Sequence, residues 1–302
     1  MASIICGSLA FDNIMRFDGR FADAILPDQL HKLSVSFYVP NLKREFGGCA
    51  GNIAYSLKLL GGTALPMATV GQDGSDYLQR FQAQGISTEF VKTIPDAVTA
   101  LAMIMTDNDN NQITAFHPGA MDSAHETKIK ADSHVKLGIL SPDGRQAMLE
   151  HAEQFKAAGI PFVFDPGQGL PMFDGITLKH FIDLATWVTV NDYEAKMLSE
   201  RTGLSSADIA EKVKGYAITL GEQGAEVWEN GSCHKVAPVL ASQVVDPTGC
   251  GDAWRGALLF GLERGWSMAR CAALGNQVAA IKITTAGGQN YTLPDNLLNT
   301  LQ

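Results

Sequence analysis

Short apolar runs alternate with segments of helical period along most of the chain, and this rhythm limits the fold more than any other feature. Residues 3–7 read as a strand, and residues 49–60 as a helix with Ile53, Leu57 and Leu60 on one face. Residues 64–70 form the next strand-length run, and 73–84 a helix closed by Gly85. The pattern recurs at 135–140 and 145–158, where Met148, Ala152 and Phe155 face one way and Gly159 stops the helix. Strands at 162–165 and 187–190 follow, each with a helical segment after it. Successive βαβ units of this kind bury a sheet under helices on both faces. The predicted class is α/β, a doubly wound, mostly parallel sheet.

Two stretches break the rhythm. Residues 13–46 contain VSFYV and almost no helical pattern, and residues 97–117 read as two strands around the turn NDNN at 108–111. Both predict antiparallel hairpin material outside the parallel core, serving as a flap, a subunit contact or decoration. The expected division is an α/β body from residues 1–12, 47–96 and 118–302, with a small β sheet from 13–46 and 97–117 inserted into it.

Composition excludes several classes. Hydrophobic residues are 46% and charged residues 18%, which suits a soluble chain with a sizeable core. No apolar run approaches the ~18 residues that span a bilayer, so no membrane partner is expected. The start, MASIICGSLAFD, has no basic residue before Arg16 and does not read as a secretory signal. The 5 cysteines are scattered without a C-x-x-C pair, which predicts reduced thiols and a cytoplasmic location. A net charge of −9 without a Lys/Arg cluster argues against nucleic acid and makes any phosphate site depend on local donors.

Such donors are concentrated in VVDPTGCGDAWRGALLF, residues 244–260. Val244 and Val245 end an extended run, Pro247 and the glycines break it, and a helix is expected from Ala253 to Leu262. Gly249 and Gly251 around Cys250 allow successive N–H groups to converge at the positive end of that helix, a setting that attracts phosphate. Asp252 is then either a first-turn helix acid or a base held beside a phosphate. Other polar groups share its setting. Asp12 follows the first strand, and EFGGCAGN at 45–52 puts Gly47, Gly48, Gly51 and Asn52 at a helix entrance. That arrangement suits a polyhydroxylated ligand or a plain N-cap. In NDYE, 191–194, Asn191 can cap a helix and Glu194 can reach an aquated Mg²⁺. TLGEQGAEV, 219–227, is a Gly-rich connection between strands. All lie at carboxyl ends of strands, where open α/β sheets bind ligands. The chain has no Walker A loop, no dinucleotide fingerprint, no protein-kinase catalytic loop and no HExxH zinc motif.

These residues carry a resemblance. GGCAGN and DPTGCGDAWRGALL resemble the two signatures of the ribokinase-like (PfkB) family of sugar and nucleoside kinases, NDYE resembles its N-x-x-E, and TLGEQG its T-x-G-x-x-G. Order and separation match along essentially the whole chain. GSLAFDNIMRF, GRFADAILPDQLHKLSVSF, FHPGAM and DPGQ at 165–168 are similar, within that family, to bacterial adenosine kinases. The resemblance implies a β lid over a doubly wound sheet, and transfer of the ATP γ-phosphoryl to a nucleoside 5′-hydroxyl, adenosine first. It implies Asp252 as base and Gly249, Cys250 and Gly251 as anion hole. It places Ser8, Asp12, Ser36, Gly48, Asn52, Phe116 and Gln168 on the nucleoside. It places Asn191, Thr219, Gly221 and Gly224 on ATP, and Glu194 on Mg²⁺ through water. A monovalent cation such as K⁺ and a homodimer formed through the lid are further expectations. The sequence departs from the pattern at Cys250, where a smaller residue is usual, and at Leu101 and Ala102, where a second base-stacking aromatic is expected. The alternatives are a ribose- or fructose-type sugar kinase of the same family, a non-catalytic binder and a dehydrogenase. Asp252 disfavours the binder, and the missing fingerprint disfavours the dehydrogenase.

Overall fold

A computed structural model describes residues 2–25, 31–32, 34–109, 111–131 and 134–300. Asn110 of the expected turn, and residues 26–30 and 33 of the longer resembling stretch, lie outside the described residues. The strands are, in chain order, β1 (Ala2–Cys6), β2 (Ala10–Arg16), β3 (Leu42–Gly47), β4 (Thr63–Gly71), β5 (Val91–Ile94), β6 (Ala100–Thr106) and β7 (Gln112–His117), then β8 (Val135–Leu140), β9 (Phe162–Phe164), β10 (Trp187–Asn191), β11 (Gly215–Thr219), β12 (Ala225–Glu229) and β13 (Ser232–Val236). The helices are α1 (Phe21–Ala24), α2 (Cys49–Leu59), α3 (Ser75–Ala83), α4 (Arg145–Ala157), α5 (Gly175–Leu184), α6 (Asp192–Thr202), α7 (Ser206–Lys212), α8 (Cys250–Leu262) and α9 (Met268–Lys282).

Nine strands form one sheet in the order β13-β12-β11-β10-β9-β8-β1-β4-β5. Pairing is parallel from β11 to β5, and the β12–β13 hairpin adds antiparallel strands at one edge. The sheet is doubly wound because its strands are apolar on both sides. Ile5, Ile139, Val163 and Ala217 pack with Ile53, Leu57, Ala257, Leu258 and Leu274. Their chain neighbours Ile4, Cys6, Leu140, Phe164 and Ile218 pack with Met148, Phe155, Phe181 and Leu198 on the other face. The order runs from β1 outward to β4 and β5, then crosses back to β8, so the switch point falls between β1 and β8. A crevice at the carboxyl ends follows from that reversal. Among the described residues no helix is long and apolar enough to cross a membrane.

The second sheet is small, in the order β3-β2-β6-β7. The β2–β3 and β6–β7 pairs are antiparallel as expected, but β2 and β6 run parallel, so the sheet is mixed. Three local expectations need correction. VSFYV, 35–39, is irregular rather than a strand. Val244 and Val245 lie exposed in an irregular segment, not at the end of a strand. Helix α8 begins at Cys250, three residues earlier than its apolar pattern suggested, so Asp252 stands inside its first turn. β2 starts at Ala10, which places Asp12 on the small sheet itself.

Candidate active site

The loop before α8 is built around Asp246. Its carboxylate accepts the Thr248 N–H at 2.9 Å and the Gly287 N–H at 2.8 Å, tying residues 246–248 to the turn after α9. Gly249 caps the helix with φ 76°, a left-handed conformation that an L side chain would strain. The N–H of Cys250 is committed to the Pro247 carbonyl at 3.1 Å, closing the turn. Of the three amides expected to receive an anion, that one is therefore used internally. Among the described residues, Gly249, Gly251 and Asp252 donate to no protein acceptor, as first-turn amides do until a ligand or water takes them.

Asp252 is half-buried beside these amides. Burial pushes its carboxyl up to about 6; the Asn52 bond and Arg255 pull it down, while Asp165 and Asp12 push it further up. Asn52 sits on α2 and donates Nδ2 to Asp252 Oδ2 at 2.8 Å. Gln289 donates Nε2 to Asn52 Oδ1 at 3.1 Å and to the Tyr77 hydroxyl at 2.7 Å. Tyr77 in turn donates to the Gly47 carbonyl at 2.6 Å, at the end of β3. Asn52, which the resemblance assigned to the sugar, thus also holds the candidate base. Asp12 lies close enough to couple electrostatically with Asp252. Its own carboxyl rises to about 6, through burial first, then Asp246 and Glu45. A Cβ at Gly47 would come within 2.3 Å of Asp12 Oδ2, so only glycine leaves that carboxylate room.

Across the small sheet Asp12 registers with Ala102, and Ala102 with Phe116. Directly opposed residues project to one face, so Asp12, Ala102 and Phe116 form a row with the small residue in the middle. Phe116 is 52% exposed. Leu101 belongs to the opposite face by strand alternation. Gly48 is the N-cap of α2 with φ 86°. Ser8, after β1, is nearly buried and accepts the Cys49 N–H on its hydroxyl at 3.1 Å, while its carbonyl accepts the Ala50 N–H at 3.0 Å; it caps α2. Gln168 is exposed just beyond β9. Ser36 is exposed in the irregular segment, and no contact among the described residues joins it to this cluster.

The remaining candidates gather further along the same sheet edge. Asn191 and Thr219 are register partners at the ends of β10 and β11. Asn191 and Glu194 form a reciprocal capping box: Asn191 Oδ1 accepts the Glu194 N–H at 2.7 Å, and Glu194 Oε2 accepts the Asn191 N–H at 2.8 Å. Gly221 and Gly224 flank the turn between β11 and β12. Gly224 lies against the backbone of Val236 and Pro238, and from there Val239, Leu240 and Ser242 line an apolar pocket of about 510 Å³ with Ala280, Ile281 and Leu297.

Arg255, one turn into α8 and buried, joins the two groups, and its pattern in the sequence is that of any helix residue. It grips Asp165 through Nε and through Nη2 at 2.7 Å, comes within 3.7 Å of Glu194, and donates Nη1 to the Gly251 carbonyl at 3.2 Å. Burial alone would lower the guanidinium pKa, and Asp165, Glu194 and Asp252 more than reverse this, so Arg255 stays charged. Burial, with Asp165, also raises Glu194, against the pull of Arg255. Sequence reasoning missed Arg255, Asp246 and Gln289; only Asp246 left a signal, as the Asp of an Asp-Pro-Thr-Gly turn.

No three His, Cys, Asp or Glu side chains converge as a metal cage among the described residues.

The chain is similar to known proteins along nearly its whole length. A family model described as pfkB family carbohydrate kinase matches residues 12–296. The nucleoside kinase of Methanocaldococcus jannaschii is 27% identical over 273 residues, covering 89% of each chain. Ribokinase of Mus musculus is 28% identical, over 81% of this chain and 80% of that one. In solved structures, the nucleoside kinase of Burkholderia thailandensis in complex with inosine matches with a TM-score of 0.89 at 49% identity, over 99% of this chain and 96% of that one. The M. jannaschii nucleoside kinase, a member of the ribokinase family, gives a TM-score of 0.90 at 25% identity over 100% and 98%. With α8 and every strand except β1 and the start of β2 inside the matched span, the chain belongs to the pfkB family of carbohydrate kinases.

Proposed function

We propose that the chain transfers the γ-phosphoryl of ATP to the 5′-hydroxyl of a purine nucleoside. The observation that carries this reading is the row Asp12, Ala102, Phe116. A carboxylate suited to vicinal hydroxyls and an exposed aromatic face stand on one side of one sheet, separated by a residue too small to fill the gap. A ribose holds to the carboxylate and its flat base lies on the ring, whereas a free sugar has no use for Phe116. Adenosine is the acceptor implied by resemblance, and inosine is the ligand of the B. thailandensis complex; both fall within this class.

In this reading the free amides of Gly249, Gly251 and Asp252 receive the transferring phosphoryl group at the positive end of α8, and Asp252 takes the hydroxyl proton. Asp252 is ionised at neutral pH yet more basic than an exposed aspartate, because burial holds it near 6. Asn52 fixes its orientation. The apolar pocket beyond Gly224 accepts the adenine of ATP, and Mg²⁺ supplies charge neutralisation at the phosphates. Asn191 and Arg255 both address Oε2 of Glu194, which leaves Oε1 for a water of that ion. The small sheet acts as the lid that excludes water. Its exposed Met103 and Ile113 suit a homodimer contact, which sedimentation of the purified chain tests.

The test is an ATP-consumption screen with adenosine, inosine, other nucleosides, ribose and fructose. Purine nucleosides should exceed the free sugars in kcat/KM by about 10²-fold or more, since a sugar leaves the stacking face unused. Faster turnover of ribose or fructose overturns the proposal in favour of the sugar-kinase alternative.

A further inference from the structure

A lysine inside a protein needs strong compensation, because an unpaired ammonium there is costly. Lys282, the last residue of α9, is 0% exposed. Its Nζ donates to the Asp246 carbonyl at 2.7 Å and the Thr285 carbonyl at 3.2 Å. These carbonyls belong to the two segments that underlie the phosphate loop. The segments are laced together: the N–H groups of Val245 and Asp246 donate to the Ile283 carbonyl at 2.9 and 3.1 Å, and the Gly287 N–H donates to the Asp246 carboxylate. Beyond them Gly249 packs on Gly288, where an added Cβ would come within 3.0 Å of the neighbouring Cα. The conformation of the helix cap beside Asp252 therefore rests on two irregular backbone segments whose carbonyls converge on one positive charge.

Converging backbone carbonyls next to a carboxylate are the ligand type of a hard cation. The sequence reading allowed for a K⁺ ion in this enzyme. The Asp246 and Thr285 carbonyls, which would serve such an ion at the base of the loop, are already taken by Lys282, so they do not fit one. The ammonium carries the same charge, and the helix supplies it covalently. Burial lowers its pKa, and the surrounding Cys250, Asp246 and Asp252 offset only part of that lowering.

We propose that Lys282 is an internal cation of the phosphoryl-transfer site, a positioning residue that replaces a bound monovalent ion and makes the loop before Asp252 independent of K⁺. The activity arm of the test rests on the kinase reading above; the stability arm does not. The full chain is assayed with ATP and inosine, and its Tm measured, in KCl and in tetramethylammonium chloride of equal ionic strength. Wild type should change by less than about twofold in kcat and show no K⁺-specific gain in Tm. Lys282→Ala opens a space beside the two carbonyls; kcat should fall on the order of 10–100-fold through misplacement of the loop. K⁺ or NH₄⁺, and not tetramethylammonium, should restore kcat severalfold and raise the variant's Tm by about 2–4 °C through binding to the native state. Lys282→Met, which fills the space without charge, should lose activity without rescue. Severalfold activation of wild type by K⁺, a K⁺-specific rise in its Tm, an unimpaired Lys282→Ala, or a loss that no cation relieves each overturns the inference. If neither variant folds, the two wild-type titrations decide it. If wild type phosphorylates no acceptor, the kinase reading fails while the Tm comparison still decides the role of Lys282.

Discussion

Replacing Asp252 by Asn should abolish most activity and make the protein more stable at pH 8. Moving a carboxyl from its ordinary range to about 6 means that the folded protein disfavours the charged form, by about 3 kcal/mol for two pKa units. Asp252 is half-buried, and solvent screening together with the helix N-terminus offsets part of this, since a first-turn carboxylate gains about 0.3–1 kcal/mol there. A net penalty of about 1–2 kcal/mol remains. The folded pKa lies above the unfolded one, so the folded state binds more protons between roughly pH 4 and 6, and stability falls as pH rises through that window. Asn removes this term and still offers an amide oxygen to Asn52 Nδ2, keeping the 2.8 Å contact. Denaturant melts of both proteins at pH 8 and pH 4.5 should show Asp252→Asn ahead by about 1–2 kcal/mol at the higher pH, and by about half of that or less at the lower one. In the same preparation kcat should fall by about 10²–10⁴. A variant that keeps near-wild-type turnover, or whose stability advantage is the same at both pH values, refutes the assignment of Asp252 as a buried, proton-accepting base.

Three further outcomes follow from the same cluster. Asn52→Ala removes the bond that draws the Asp252 pKa down, so the acid limb of kcat/KM should move to higher pH and kcat should fall about tenfold or more; an unmoved limb would contradict the holding role. Asp12→Asn removes a charge that pushes Asp252 up; the same limb should move to lower pH while the nucleoside KM rises, and an unchanged KM argues against the ribose contact. Phe116→Ala should cost about 1–3 kcal/mol of stacking, a rise in nucleoside KM of roughly tenfold to a hundredfold with the ATP KM unaffected; equal effects on both substrates would place the ring elsewhere.

The body of the fold was legible because its signal is local and redundant. Strand β8 and the helices α2 and α4 emerge from apolar period alone, and the Asn191 cap of α6 from its place after a strand; the answering bond from Glu194 was not read. Local signal also misled. VSFYV has strand propensity but pairs with no strand among the described residues and is irregular. Gly-Cys-Gly has poor helix propensity, yet it forms the first turn of α8 because Asp246 braces the loop from two sides. Arg255 and Lys282 look like ordinary helix residues in the sequence; their burial depends on Asp165, Asp246 and Thr285, which only the fold brings near.

The contact between Asn52 and Asp252 joins positions 200 residues apart and illustrates what a local pattern cannot carry. Its direction is determined by a chain of bonds rather than by either residue. Tyr77 has one hydroxyl proton, and giving it to the Gly47 carbonyl leaves its oxygen as acceptor for Gln289. The Gln289 amide, donating there, donates also to Asn52 Oδ1, and this turns Asn52 Nδ2 toward Asp252. Every link is directional, so Asn52 presents a donor and favours the ionised carboxylate, the form a base requires. The far end of the chain is Gly47, the last residue of β3, whose missing side chain also makes room for Asp12. The small sheet and the proton acceptor are thereby held by the same backbone unit: a shift of β3 loosens Tyr77 and Gln289 and releases the amide that orients Asp252. Glycine at 47, read from the sequence only as a place for close approach, is where the carboxylate proposed to bind the acceptor and the bonds that orient the proposed base meet.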